Sequence, residues 1–123
     1  MKTILLVDDD QPVRALFGLA LRRNGYCVIE ADSGVAGLEM ARRHLPDLIL
    51  SDVVMPAGSG STLLRDIRGD AALSSTQIVL MTGSPDLVMP GKNMEGRADD
   101  LLVKPVGLQR LLSCVKGRFS QSG

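Results

Sequence analysis

Leu48-Ile49-Leu50-Ser51-Asp52 is a short apolar run that stops on an acid. It is too short for a buried helix and reads as a strand. Three further apolar runs along the chain also stop on a polar residue. Ile4-Leu5-Leu6-Val7 runs into Asp8 and Asp9, Ile78-Val79-Leu80-Met81 into Thr82, and Leu101-Leu102-Val103 into Lys104. Tyr26 to Glu30 reads as a further strand. In a parallel sheet with helical crossovers, the carboxyl ends of the strands open onto one crevice, and ligands bind there. Three carboxylates, a hydroxyl and an ammonium are thus expected to meet.

The segments between these runs have helical spacing. Asp10 is a natural N-cap, and Pro12 suits a first helical turn, where its missing N–H would have had no partner. Val13, Leu16, Phe17, Ala20 and Leu21 follow on one stripe. Asn24-Gly25 stops that helix. Ser33 caps a second helix reaching about His44, with Val35, Leu38 and Ala41 inward, while Gly34 and Gly37 weaken it. Residues 55–60 read as a loop, and Leu63, Leu64 and Ile67 mark a third helix. A fourth is expected between Thr82 and Arg97, where Pro85, Pro90, Gly91 and Gly96 intervene. A proline inside a helix costs about 3 kcal/mol, so this helix is expected to be short or broken, beginning near Pro85. Leu108, Leu111, Leu112 and Val115 give the last helix a clean stripe. Alternating strands and helices predict a three-layer α/β domain with a parallel sheet.

At 123 residues the chain holds one core. Residues 1–119 are expected to form the domain, and 120–123 a flexible tail or the start of a linker. Net charge is zero, and no basic stripe marks direct nucleic-acid binding. Phe17, Tyr26 and Phe119 are the only aromatics, too few for base stacking. No apolar run is long enough to span a membrane, and the start lacks a secretory pattern, so a cytoplasmic location is expected. There Cys27 and Cys114 are expected as two buried, reduced thiols. Asp99 and Asp100 read as solvent-facing loop acids.

The expected crevice has a definite chemistry. Two like charges ~4 Å apart repel by about 4 kcal/mol at an effective dielectric near 20. Asp8, Asp9 and Asp52 would not all stay ionised in an empty site, and a bound cation removes the conflict. Oxygen ligands without His or thiolate favour Mg²⁺ over zinc. Mg²⁺ commonly takes one or two carboxylates plus a phosphate oxygen, which leaves a carboxylate free to act as a nucleophile and form an aspartyl phosphate. Lys104 and Thr82 suit the phosphoryl oxygens.

Four pieces, ILLVDDD, PDLILSDVVMP with Gly60 following, IVLMTGS and ADDLLVKP, occur in this order. Together they resemble the receiver domain of bacterial two-component response regulators, over roughly residues 1 to 119. The resemblance implies a flavodoxin-like, doubly wound sheet of five parallel strands in the order 2-1-3-4-5. It implies Asp52 as phosphoacceptor, and Asp8, Asp9 and Asp52 with the Val54 backbone carbonyl as Mg²⁺ ligands. Thr82 is then the switch hydroxyl, and Lys104 pairs with the phosphoryl group. A cis bond is expected between Lys104 and Pro105. Receivers usually carry Tyr or Phe where this chain has Leu101, a switch position, and often Phe where it has Val106. The implied partners are a histidine kinase or phosphotransfer protein, and an unknown output partner or a C-terminal output domain.

The function so implied is a phosphorylation-controlled signalling switch. It would assist its own modification without turning over a separate substrate. A module with the receiver fold that binds partners independently of phosphorylation is the alternative, given some weight by Leu101. An aspartyl-nucleophile phosphatase of the haloacid-dehalogenase type is a third reading. It needs a second Asp two residues after the nucleophile, where this chain has Val54.

Overall fold

The computed structural model of the chain describes residues 1–53, 60–83 and 98–121. Five strands, β1 (Thr3–Val7), β2 (Cys27–Ala31), β3 (Leu48–Asp52), β4 (Gln77–Thr82) and β5 (Asp100–Val103), form one sheet. All neighbours run parallel, in the order β2-β1-β3-β4-β5. Four helices lie among the described residues: α1 (Gln11–Arg23), α2 (Gly34–His44), α3 (Gly60–Arg68) and α4 (Leu108–Gln121).

Alternation along the strands divides the core in two. Leu5, Val7, Ile49, Ile78 and Leu80 pack with Ala41 of α2 and Leu63, Leu64 and Ile67 of α3. Ile4, Leu6, Leu48, Leu50, Val79 and Met81 face the other way, toward Phe17 and Leu21 of α1 and Leu111 and Val115 of α4. Both faces of the sheet are covered, so β1, β3 and β4 are apolar almost throughout and buried, as parallel strands inside a three-layer sandwich must be. The topology puts the end of β1 beside the end of β3, with the end of β4 adjoining.

Caps follow local chemistry. The Asp10 carboxylate accepts from the Val13 N–H and the Ser33 hydroxyl from the Ala36 N–H, each at the start of its helix. The Lys104–Pro105 bond is cis.

Several expectations change on packing. Leu16 is half exposed, because Phe17, Gly18 and Leu21 form the buried stripe of α1; one residue along a helix turns the side chain by about 100°. Val35 is 70% exposed, and α2 instead buries Gly34, Gly37 and Ala41. A Cβ on Gly37 would lie 3.0 Å from a Val7 methyl, so Gly37 sets how closely α2 approaches β1. Gly60 already belongs to α3 rather than to the preceding loop. Cys27 is exposed at the start of β2 and Cys114 partly exposed on α4, so neither thiol is buried as expected, although both are free. Asp100 opens β5, and Asp99 accepts from the Ile78 N–H at 2.7 Å and from Arg68 at 2.9 Å, tying strands together while exposed. Helix α4 continues through Phe119, whose ring lies 5.5 Å from that of Tyr26, to Gln121. The expected short helix near Pro85 lies outside the described residues.

Candidate metal and phosphoryl site

Asp8 follows β1, Asp52 ends β3, Thr82 ends β4 and Lys104 follows β5. A parallel sheet delivers all four to one edge. Their main chains are linked as well: the Val53 N–H donates to the Met81 carbonyl at 3.0 Å, and the Lys104 N–H to the Thr82 carbonyl at 2.7 Å. Carboxylate oxygens of Asp8, Asp9 and Asp52 lie within 4.8 Å of one another. The Lys104 ammonium donates to Asp52 Oδ2 at 2.8 Å. Asp8, Asp52 and Thr82 are buried, and Asp9 is exposed. Of the site residues expected from sequence, Val54 lies outside the described residues. Leu101 is half-buried against the α2–α3 side of the core.

The electrostatics are those of a charge cluster with a partial counterion. Burial pushes the Asp8 carboxyl above the usual carboxylate value, and the charges of Asp52 and Asp9 push the same way. The Asp10 N–H, which donates to Asp8 Oδ1 at 2.9 Å, and the Lys104 charge oppose this without cancelling it. Burial alone would pull the Lys104 amine down. Its hydrogen bond to Asp52, with the charges of Asp52, Asp8 and Asp9, outweighs that and holds it above its ordinary value. One ammonium thus serves three carboxylates.

Asp8 Oδ2 tests whether a cation fits. It is buried and accepts no hydrogen bond from the described residues, an arrangement that costs roughly 1–3 kcal/mol or more for a charged group. An oxygen-only donor set with one unsatisfied buried oxygen fits a hard divalent ion. Sequence reading did not single out Arg14, whose guanidinium donates to the Asp8 carbonyl at 2.7 Å. Its place one helical turn after the Asp10 cap was visible; its contacts needed the fold.

A groove of about 510 Å³ opens beside the site, lined by Asp10, Val13, Leu16, Phe17 and the segment from Lys104 to Val106.

The response regulator receiver domain family matches residues 4–116. The transcriptional regulatory protein AfsQ1 of Streptomyces coelicolor is 39% identical over 106 residues, 86% of this chain and 46% of that protein. Histidine kinase P4 of Formosa agariphila is 34% identical over 93% of this chain, which corresponds to 8% of the kinase. A solved putative response regulator from Chloroflexus aurantiacus superposes with a TM-score of 0.85 at 34% identity, covering 94% of this chain and 95% of that one. The chain belongs to the response regulator receiver domain family, a class of regulatory domains in two-component signalling. It spans about half the length of AfsQ1 and a small part of the kinase. No helix among the described residues is long and apolar enough to cross a membrane.

Proposed function

We propose that the chain is a phosphorylation-controlled switch in which Asp52 accepts a phosphoryl group. The observation that carries this reading is the contact of Lys104 with Asp52 at 2.8 Å beside the carboxylates of Asp8 and Asp9. An Asp52 oxygen would form a bond to phosphorus as the P–N bond of a partner's phosphohistidine breaks, with the imidazole taking a proton from solvent. Mg²⁺ would supply charge neutralisation. Asp8, Asp9 and Asp52 would hold it, with the Val54 carbonyl as a further oxygen by family resemblance. Lys104 would follow the transferred charge, and Thr82 would offer a hydroxyl to another phosphoryl oxygen. Positioning and neutralisation are most of what phosphoryl transfer needs.

The donor would be a histidine kinase or phosphotransfer protein, in the cytoplasm. The groove by Leu16 and Val106 offers it an apolar footing next to Asp52. Output would pass to a binding partner or an attached domain, with no separate substrate turned over. The test is intact mass after incubation with acetyl phosphate. One added phosphoryl group is expected with Mg²⁺, and none without metal or in Asp52→Asn. Equal labelling of Asp52→Asn would sink the assignment.

Leu101 favours a second reading, a module whose partner binding ignores phosphorylation, because it offers less area than a ring and no hydroxyl. Partner affinity unchanged by acetyl phosphate and by Asp52→Asn would select it.

A further inference from the structure

The Asp8 backbone is held at its N–H by the end of β2 and at its carbonyl by a side chain of α1 that is itself paired with β2. Its N–H donates to the Ala31 carbonyl at 3.1 Å. Its carbonyl accepts from Arg14 Nη1 at 2.7 Å, and the same guanidinium, through Nε, bonds Glu30 Oε1 at 3.1 Å. Glu30 is in turn fixed by Arg22, whose Nη2 lies 3.1 Å from Glu30 Oε2 and also donates to the Val28 carbonyl at 3.2 Å. Arg14 is only 15% exposed. The network runs beside Gly18, where a Cβ would sit 3.2 Å from Arg22 Nη1 and 3.3 Å from Glu30 Oε2. The helix leaves a gap that the ion pairs fill.

This frame acts on one carboxylate. Asp8 Oδ1 is pinned by the Asp10 N–H at 2.9 Å, and Oδ2 is buried with no hydrogen bond among the described residues. With the main chain bonded at its N–H and its carbonyl and Oδ1 held by the Asp10 N–H, the carboxylate that meets Asp9 and Asp52 stands on a fixed root. From this geometry we infer that Arg14, braced by Glu30 and Arg22, is a positioning residue that aims Asp8 at the cation. The inference rests on the metal-dependent reading given under Proposed function. Outer partners of metal ligands commonly change affinity ten- to a hundredfold.

Electrostatics gives the test its sign. Arg14 is a cation near a cation site. If it were a bystander, removing its charge would leave Mg²⁺ binding unchanged or tighter. A positioning role predicts the opposite. Mg²⁺ is titrated into the protein at constant ionic strength, followed by amide NMR shifts or calorimetry. Arg14→Met is expected to raise the Mg²⁺ Kd roughly tenfold. Arg68→Met serves as the structural control. Arg68 bonds the Ser74 and Thr76 carbonyls and Asp99, near the amino ends of β4 and β5, so its loss should lower the melting temperature and leave the Kd alone.

An unchanged or lower Kd in Arg14→Met overturns the inference, as does an equal rise in Arg68→Met. If Arg14→Met does not fold, Arg14→Lys carries the test at constant charge: weaker binding supports the role and unchanged binding overturns it. Wild-type protein that takes up no Mg²⁺ would instead remove the metal reading itself, and this inference with it.

Discussion

Asp8 carries an electrostatic conflict, burial and two neighbouring carboxylates acting against its ionised form. Its carboxyl binds a proton more tightly in the folded chain than in the unfolded one. The ionised form is therefore a cost to the fold. That cost is absent below the ordinary value of 3.8, grows as pH rises, and is complete above the raised value. Asp8→Asn cannot ionise. Without metal at pH 7 it is expected to melt above wild type. The advantage should shrink toward zero as pH falls to the ordinary carboxylate value, and reverse in saturating Mg²⁺. Thermal melts over pH, with and without metal, check this. The two thiols offer a separate contrast. Burial, with the charge and hydrogen bond of Asp100, pushes the Cys114 thiol up to about 11. At pH 8 about one Cys114 in a thousand is then thiolate. Iodoacetamide should label exposed Cys27 first and Cys114 far more slowly, as peptide mass mapping would show.

At the scale of elements, α2 is where helix propensity and packing disagree. Gly37 weakens an isolated helix by about 1 kcal/mol relative to Ala. In the folded chain it lets α2 lie against β1, and an added Cβ would meet Val7 methyls at 3.0 and 3.3 Å and a Leu63 methyl at 3.4 Å. Both residues belong to the tightly filled core on that face, which has no slack to give. Gly37→Ala is therefore expected to destabilise by about 1–3 kcal/mol, the usual range for overpacking, despite its better propensity. Urea denaturation measures the balance, and a stabilised variant would show that the core yields more easily than these contacts suggest. Gly37, which weakened the reading of α2 from sequence alone, is thus a residue that seats it.

At the scale of the whole molecule, the proposed cation binding would be linked to folding, because the carboxylates that would hold the ion come from the ends of β1 and β3 and meet only in the native sheet. A ligand bound only by the folded state stabilises it by about 2.7 kcal/mol at a hundred times its Kd. Mg²⁺ at such a level should raise the melting temperature accordingly, EDTA should abolish the gain, and Asp52→Asn should show little of it. A gain that survives Asp52→Asn undiminished would place the ion elsewhere. The Lys104 amine sets the opposite limit of pH. Its value is raised by the fold, so its contribution is whole below the ordinary 10.5 and is lost as pH climbs through the elevated value.

The strands, their parallel arrangement and the four polar residues that close them were legible in the chain itself. A buried parallel strand must be a continuous apolar run, and a polar residue closing such a run has only the crevice to occupy. The caps at Asp10 and Ser33 were legible for a similar reason, since a cap depends on neighbours three residues away. What needed the tertiary structure was every choice among near-equivalent faces: Leu16 outward and Phe17 inward, Gly37 inward and Val35 outward. So did every contact between distant positions. Arg14 meets Glu30 across sixteen residues, and Lys104 meets Asp52 across fifty-two. Local periodicity specifies an element and its polarity, but the packing partner on each side decides which residue of a stripe is buried and which charge finds which.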